Sequence, residues 1–442
     1  MIGPPMRFEP YLRLLRRNPA FSRLYAAQLI SFAGDWFATV ALLGLALEVT
    51  GSPAVASLVL VVQTAAFSIA SPIAGTVADR FDRRRLLIAA DLARVPIALA
   101  FLLARDPSTL WIAFAAIAGL SFGAALFEPT SSASLPNLVE EDELAEANVL
   151  IGSAWGTMLT VGAAIGGVVA ATFGRDTAFV VNAASFAISA ALIWAIRRPF
   201  QQPREVAAAV AGRGRLAAGV ARSLAGLGDA LRFARGSRRV AAFLLSKTTF
   251  GVGTGVVLML AVFGRDVFDA GEAGIGILFA ARGLGALVGP FIARGALGTD
   301  DPALLRGIAL SFVATVVCYA IFPVAPSIWL AALLVFGAHC GGGAQWALSS
   351  LGLQRASPDA IRGRVFSFDY GMVTFTIAVS TVAAGLLADA LPPRVAVWTM
   401  VGLIALAGSA WVAFSRPAWS DLRPASDGRG GARPDPAPRR WP

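Results

Sequence analysis

The sequence predicts an all-α polytopic membrane protein with twelve transmembrane helices in two pseudo-symmetric six-helix bundles, and three observations carry that expectation. The residue set AVILMFWYC makes up 57% of the 442 positions before any glycine is counted, whereas soluble domains reach about 45 to 50% with glycine included. Charged residues make up only 14%, roughly half the usual share, and they are bunched between apolar runs. Each run is about 20 residues long, the length a helix needs to cross a bilayer core.

Taken in order, the runs fall at residues 23–47, 54–78, 86–104, 109–133, 149–172, 177–196, 240–263, 273–296, 304–323, 327–351, 366–390 and 395–415. With a cytoplasmic N-terminus, the outer loops hold only Arg105, Arg175, Arg265 and Arg394. The inner segments hold Arg7, Arg13, Arg16, Arg17, Arg80, Arg83, Arg84, Arg85, the arginine-rich stretch between spans six and seven, Arg294, Arg306, Arg355, Arg362 and Arg364. The positive-inside rule therefore places both termini in the cytoplasm, and a bacterial inner membrane is expected. The acidic inner loop Glu140–Glu146 departs from the pattern, but acidic residues weigh little in topology. A net charge of +10 thus serves orientation and contact with anionic lipid, and no nucleic-acid partner is expected.

The composition also removes several chemistries. One histidine, His339, and two cysteines, Cys318 and Cys340, cannot build a three- or four-ligand zinc site from His and Cys, so no metal is expected. No phosphate-binding G-x-x-x-x-G-K-[S/T] loop exists, because the only lysine, Lys247, has Ser246 where the glycine belongs. No cofactor is expected, and no clustered catalytic constellation points to an enzyme.

Five regions follow. Residues 1–22 form a basic cytoplasmic N-terminal segment without a cleavage site, read as an uncleaved start. Residues 23–196 form the first bundle, 197–239 a cytoplasmic linker rich in Ala, Gly and Arg, and 240–415 the second bundle. Residues 416–442 form a tail rich in Pro, Gly, Arg and Asp that is expected to be disordered. A weak internal repeat supports the division: Phe122-Gly123-Ala124 returns as Phe336-Gly337-Ala338, and Ser71-Pro72-Ile73-Ala74 has a counterpart in Gly289-Pro290-Phe291-Ile292 at nearly the same offset. Paired six-span halves are an architecture used by alternating-access carriers.

Between spans two and three runs Gly75-Thr76-Val77-Ala78-Asp79-Arg80-Phe81-Asp82-Arg83-Arg84-Arg85. Gly75 permits close helix approach, Asp79 can face the positive end of another helix, and Arg80, Arg83 and Arg84 can pair with carboxylates or lipid phosphate. A plain positive-inside turn would explain the arginines but not Gly75 and Asp79 in register. The stretch resembles the G-x-x-x-D-R-x-x-R-R cytoplasmic gate signature of the major facilitator superfamily, with Asp82 where many members carry glycine. Further stretches resemble the drug:proton antiporter group that includes macrolide efflux proteins and the enterobactin exporter: Phe127-Glu128-Pro129, Leu135-Pro136-Asn137-Leu138-Val139, Glu143-Leu144-Ala145-Glu146-Ala147-Asn148, and Arg362-Gly363-Arg364-Val365. In span five, Gly162-Ala163-Ala164-Ile165-Gly166-Gly167 is similar to the antiporter motif G-P-x-x-G-G, with Ala163 replacing proline. Gly162, Gly166 and Gly167 are expected to let helices of the two halves meet closely, although ordinary small-residue packing would use them equally.

The resemblance implies a central cavity faced by spans one, four, seven and ten, and each carries one titratable group: Asp35, Glu128, Lys247 and His339. Arg282 lies mid-span in span eight. Asp35 is the first candidate for proton coupling, lying about 12 residues, or roughly 18 Å, into its span; the alternative is a structural pair with Arg282. Glu128 is placed either to pair with Arg83 or to carry the proton. Asp91 and Arg94, three apart on one helix face, most simply neutralise each other. Lys247 is expected to snorkel to the inner surface, and His339 either exchanges protons or packs through a hydrogen bond. Trp36, Phe37, Trp155, Phe250 and Trp346 are candidates to touch an apolar cargo, although most aromatics in such spans face lipid or core.

These features imply a monomeric secondary transporter whose partners are a small amphipathic substrate (drug, siderophore or other secondary metabolite), protons and membrane lipid. A carrier of lipid-like or nutrient substrates and a non-transporting receptor are the alternatives.

Overall fold

The computed structural model describes residues 9–201, 228, 231–296 and 301–420, and among these the side chains of all but 72–76, 78–80, 295, 296, 359, 360, 363 and 420. Twelve helices in this range are long and apolar enough to cross a membrane: Pro19–Thr50, Pro53–Ser71, Arg83–Leu103, Leu110–Leu138, Glu141–Phe173, Arg175–Trp194, Arg238–Val267, Gly271–Arg294, Asp301–Val324, Ile328–Ala356, Arg364–Ala390 and Pro393–Ser415. They are numbered here as spans one to twelve. No strand occurs among the described residues. The expected linker and tail lie largely outside the described residues.

The helices overrun the apolar stretches because backbone hydrogen bonds continue until a side chain or a turn stops them. Span one begins where Asn18 accepts from the Phe21 amide at 3.0 Å with Pro19 following, a combination suited to a helix start. It ends at Gly51, whose φ of 64° permits its N–H to bond Leu47 O at 2.8 Å. Spans two, seven and ten start in the same way on Ser52, Ser237 and Ser327.

Span seven, expected to be one continuous run, is broken. Its helix Arg238–Gly253 stops, a second segment Val256–Val262 follows, and a π turn Phe263–Val267 closes it. Glycines 253 and 255 allow close packing at the break: a Cβ at Gly255 would lie 2.8 Å from Met400 Cε. The Ser380 hydroxyl of span eleven enters the gap, accepting from Gly255 N–H at 2.9 Å and donating to Val252 O at 2.6 Å. Two of the backbone groups that the break releases, Gly255 N–H and Val252 O, are thereby satisfied, as an apolar surrounding demands.

The pairings reveal the pseudo-symmetry. In the first bundle span one packs on five and six, two on four, and three on four and six; in the second, seven packs on eleven and twelve, eight on ten, and nine on ten and twelve. Adding six to each number converts the first set into the second. The bundles meet chiefly through span five with eight and span two with eleven, which the same operation exchanges. Trp111 and Trp329, near the starts of spans four and ten, are 66% and 71% exposed, as expected for an aromatic belt at a membrane interface.

The end where span one begins is called the near end, and the opposite one the far end. At the far end the two bundles are latched. Arg175 bonds Glu48 and also Glu272, with Nε 2.8 Å from Glu272 Oε1, and Arg265 lies 3.4 Å from Glu48. Asp389 accepts from the Ser52 hydroxyl at 2.7 Å and from Ala54 N–H at 3.3 Å.

Candidate functional site: charged groups inside the bundle

A charge near a bilayer centre costs about 2.5 to 3.5 kcal/mol on insertion scales, so the partners of each buried charge identify its use. In the first bundle the centre of the arrangement is Arg94 of span three, 1% exposed. Its Nη2 donates to Asp91 at 2.7 Å and to Ser31 at 3.0 Å, while the other Asp91 oxygen accepts from Ser189 at 2.6 Å. The guanidinium lies 4.1 Å from the Phe186 ring centre and 5.6 Å from that of Phe127. Gly123 of the repeated Phe-Gly-Ala motif makes room for the stem, since a Cβ there would fall 2.6 Å from Arg94 Cδ.

Asp35 stands at the edge of this cluster. Its Oδ2 is 3.7 Å from Arg94 Nη1, too far for a hydrogen bond, and Nη1 and Nε of Arg94 have no hydrogen-bond partner. The Asp35 side chain keeps 21% exposure. Glu128 forms no ion pair or hydrogen bond among the described residues, and its electrostatic neighbours include Asp35, Arg94 and Tyr370. Three carboxylates therefore share one guanidinium. Two alternatives left open by the sequence are corrected here. The cation facing Asp35 is Arg94 of its own bundle, not Arg282, because the stem seated at Gly123 reaches across to span one. Arg83 does not pair with Glu128: its Nη1 donates to Ala133 O at 2.6 Å.

The second bundle is organised differently. Lys247 does not snorkel. It is 3% exposed and bonds Asp369 of span eleven, also 3% exposed, between the rings of Trp346 at 5.1 Å and Phe366 at 5.6 Å. Asp369, absent from the sequence-derived candidates, supplies the counter-charge that keeps the ammonium inside; its signal was a carboxylate within the expected run 366–390. His339 Nε2 lies 2.8 Å from the Tyr319 hydroxyl and lines a small pocket with Phe250, Thr254, Thr315 and Gln345. Arg282 has no carboxylate partner and no hydrogen bond among the described residues, and its guanidinium lies 5.7 Å from the Phe279 ring centre. The four groups on spans one, four, seven and ten thus do not form one constellation: Asp35 and Glu128 share the Arg94 cluster, Lys247 is sealed with Asp369, and His339 faces a pocket inside the second bundle.

The three span-five glycines divide by position. A Cβ at Gly162 would meet Ala33 Cα at 3.1 Å and one at Gly166 would meet Phe37 Cα at 2.8 Å, both in span one of the same bundle. Only Gly167 of the three touches the other bundle, where a Cβ would sit 2.7 Å from Glu272 O and 2.8 Å from Gly276 Cα. Replacing Gly167 with Leu is expected to pry the far end apart. A disulfide between cysteines placed at Ser52 and Asp389, in a background with Cys318 and Cys340 changed to Ser, should form several-fold less in Gly167→Leu. An unaltered crosslinking yield would show that the contact does not hold the far end closed.

At the near end the side chains of Gly75, Asp79 and Arg80 lie outside the described residues. Arg84 donates to Trp194 O and, at 3.4 Å, to Ile193 O, at the end of span six. Asp82 accepts from the Arg85 amide at 2.8 Å and so caps the start of span three, a role glycine fills less well than a carboxylate.

The family described as transmembrane secretion effector matches residues 14–429. The chain belongs to that family, within the major facilitator superfamily. The chain is 28% identical over 186 residues to the uncharacterized MFS-type transporter YfiS of Bacillus subtilis, a match covering 42% of this chain and 44% of that one. It is 32% identical over 193 residues to the multidrug efflux pump Tap of Mycobacterium tuberculosis, covering 42% and 46%. The matched part is thus under half the length of these relatives. Among solved structures, a POT family transporter in complex with a thioalcohol-conjugated peptide superposes with a TM-score of 0.71 at 12% identity, covering 91% of this chain and 96% of that one. A bacterial homolog of the human lysosomal transporter Spinster, in an inward-facing, unoccupied conformation, gives 0.68 at 16% identity, covering 93% and 100%. These likenesses show that the chain has the facilitator fold.

Proposed function

We propose that this protein is a monomeric secondary carrier that exports a small amphipathic compound across a bacterial inner membrane in exchange for protons, by alternating access between bundles 23–196 and 240–415. The observation that carries this reading is the Arg94 cluster. Arg94 is already bonded to Asp91, so the partly exposed Asp35, 3.7 Å away, can take up or release a proton without leaving the arginine unpaired. Glu128, without a bonded partner, extends the path toward the near end. One charge crossing 100 mV is worth about 2.3 kcal/mol, which a carboxylate that alternates access can convert into cargo movement.

The arginine distribution favours a cytoplasmic near end, with both termini there, and an outer, latched far end. Gly75, Asp79, Arg80, Arg83 and Arg84 are the corresponding cytoplasmic gate, assembled when the near end closes. Drugs, siderophores and other secondary metabolites fit the amphipathic class, and efflux in the curated relative Tap supports export over uptake.

Everted membrane vesicles from cells producing the full chain test the reading. Energised vesicles should accumulate at least one compound from an amphipathic panel, and collapsing the proton gradient should abolish the accumulation. Accumulation that is indifferent to the gradient would reject proton exchange.

A further inference from the structure

The intramembrane charges of the two bundles do not balance in the same way. Arg94 is neutralised by Asp91 at 2.7 Å and Lys247 by Asp369. Arg282, midway along span eight, has neither a carboxylate nor a hydrogen-bond acceptor among the described residues, yet its nitrogens are absent from the fully enclosed, unpartnered polar atoms, so the guanidinium reaches open space. A guanidinium at this depth needs a partner or a wet cavity to offset its desolvation, and either leaves it available to an anion.

The surroundings of Arg282 indicate the occupant. Phe279, one helical turn earlier on the same face, lies under the guanidinium and packs against Trp36 of the other bundle with ring centres 6.2 Å apart. Trp36 in turn packs edge-on against Trp155, again at 6.2 Å, and Trp155 keeps 46% exposure. One fixed cation therefore sits beside an aromatic cluster built from both bundles, in which Phe279 and Trp36, 0% and 9% exposed, are the buried backing and Trp155 presents the open ring face. Tyr319 and His339 are its polar neighbours, and the pocket they line includes Gln345, whose Oε1 has no partner.

We propose that Arg282, together with Phe279, Trp36 and Trp155, forms an anion-binding subsite at the seam between the bundles that takes the carboxylate of an aromatic amphiphile. The carboxylate meets the planar guanidinium, the geometry in which two parallel N–H donors are used at once, and the ring lies along the open face of Trp155. A lipid headgroup is the other source of such an anion. Arg282 is about 12 residues, roughly 18 Å, from the ends of its span, so a soluble aryl carboxylate fits the depth and a headgroup does not. This assignment deepens the carrier reading and rests on it only for the ligand being cargo.

Equilibrium binding to the purified full chain in detergent tests the site without a gradient, so loss of proton coupling and loss of the anion site are separable. The probes are 2-naphthoate and its uncharged isostere 2-naphthamide, followed by calorimetry. Naphthoate is expected to bind at least tenfold more tightly than the amide. Arg282→Gln should erase that preference while leaving amide binding, and Arg282→Lys should restore part of it; both variants are first checked for an unchanged elution profile and melting temperature. Should Arg282→Gln fail that check, Arg282→Lys alone must still reduce the preference. Equal binding of acid and amide, absence of binding by either up to millimolar concentration, a preference that survives Arg282→Gln, or displacement of naphthoate by short-chain phosphatidylglycerol would each overturn the proposal.

Discussion

Asp35→Asn is expected to abolish gradient-driven accumulation in everted vesicles, by at least tenfold, while downhill exchange of the same compound continues. The substitution keeps the size of the side chain and its capacity to accept a hydrogen bond, and removes only the titratable proton. Arg94 retains Asp91 and Ser31, at 2.7 and 3.0 Å, so the arginine does not become an uncompensated buried charge and the bundle should still insert and fold. Glu128→Gln provides the comparison. If Glu128 only relays protons to Asp35, its replacement slows accumulation without eliminating it. Undiminished uphill transport by Asp35→Asn would remove Asp35 from the coupling role.

The largest effect on stability is expected from the buried pair of the second bundle. Asp369→Leu leaves Lys247, 3% exposed, without its carboxylate, and breaking one side of a buried pair costs about 3 to 5 kcal/mol. Lys247→Met strands Asp369 equally. The double substitution Lys247→Met with Asp369→Leu replaces the pair by apolar side chains, which is often neutral or stabilising, so it should recover most of the melting temperature lost in either single variant. Size-exclusion chromatography after stepwise heating of detergent-solubilised protein reads all three. Single variants as stable as the parent would mean that the pair is not the buried bridge described. A double variant that is stable but inactive in vesicles would give the pair a role in the transport cycle as well as in folding.

The fold was legible because each span is an apolar run of bilayer length, a signal that does not depend on how the helices pack. The repeated Phe-Gly-Ala motif carried real information about the two halves: Gly123 seats Arg94 of span three, and a Cβ at Gly337 would lie 2.9 Å from Cys318 Sγ of span nine, the equivalent helix. Of the buried charges, the Asp91–Arg94 pair was legible from its spacing of three, and the partners of the others were not. Spans four and ten are apolar nearly all round, so periodicity does not say which way Glu128 or His339 faces, and an arginine stem reaches several candidate carboxylates. Asp369 sits near the start of its run, shortly after Arg362 and Arg364, where a carboxylate reads as part of the membrane interface rather than of the interior. Glu48, Arg175, Arg265 and Glu272 read as scattered interface charges, counted if at all for orientation, yet the folded chain joins them into one network across both bundles. That network depends on tertiary closure, which no local pattern encodes.

The break in span seven determines where the second bundle can yield. Ser380 bonds Gly255 N–H and Val252 O across the gap, acting as a splice between two rods, so tilting one rod against the other keeps these two groups from standing bare in hydrocarbon, a cost of several kcal/mol each. The rod before the splice is pinned by Lys247 to Asp369; the rod after it ends at Arg265, which holds Glu48 of the other bundle. Ser380 and Asp369 belong to the same span. The outer rod can therefore swing as a lever with its fulcrum on span eleven, releasing the far-end latch while the ammonium stays in place, and mechanical compliance is concentrated at one hydroxyl rather than spread along the helix.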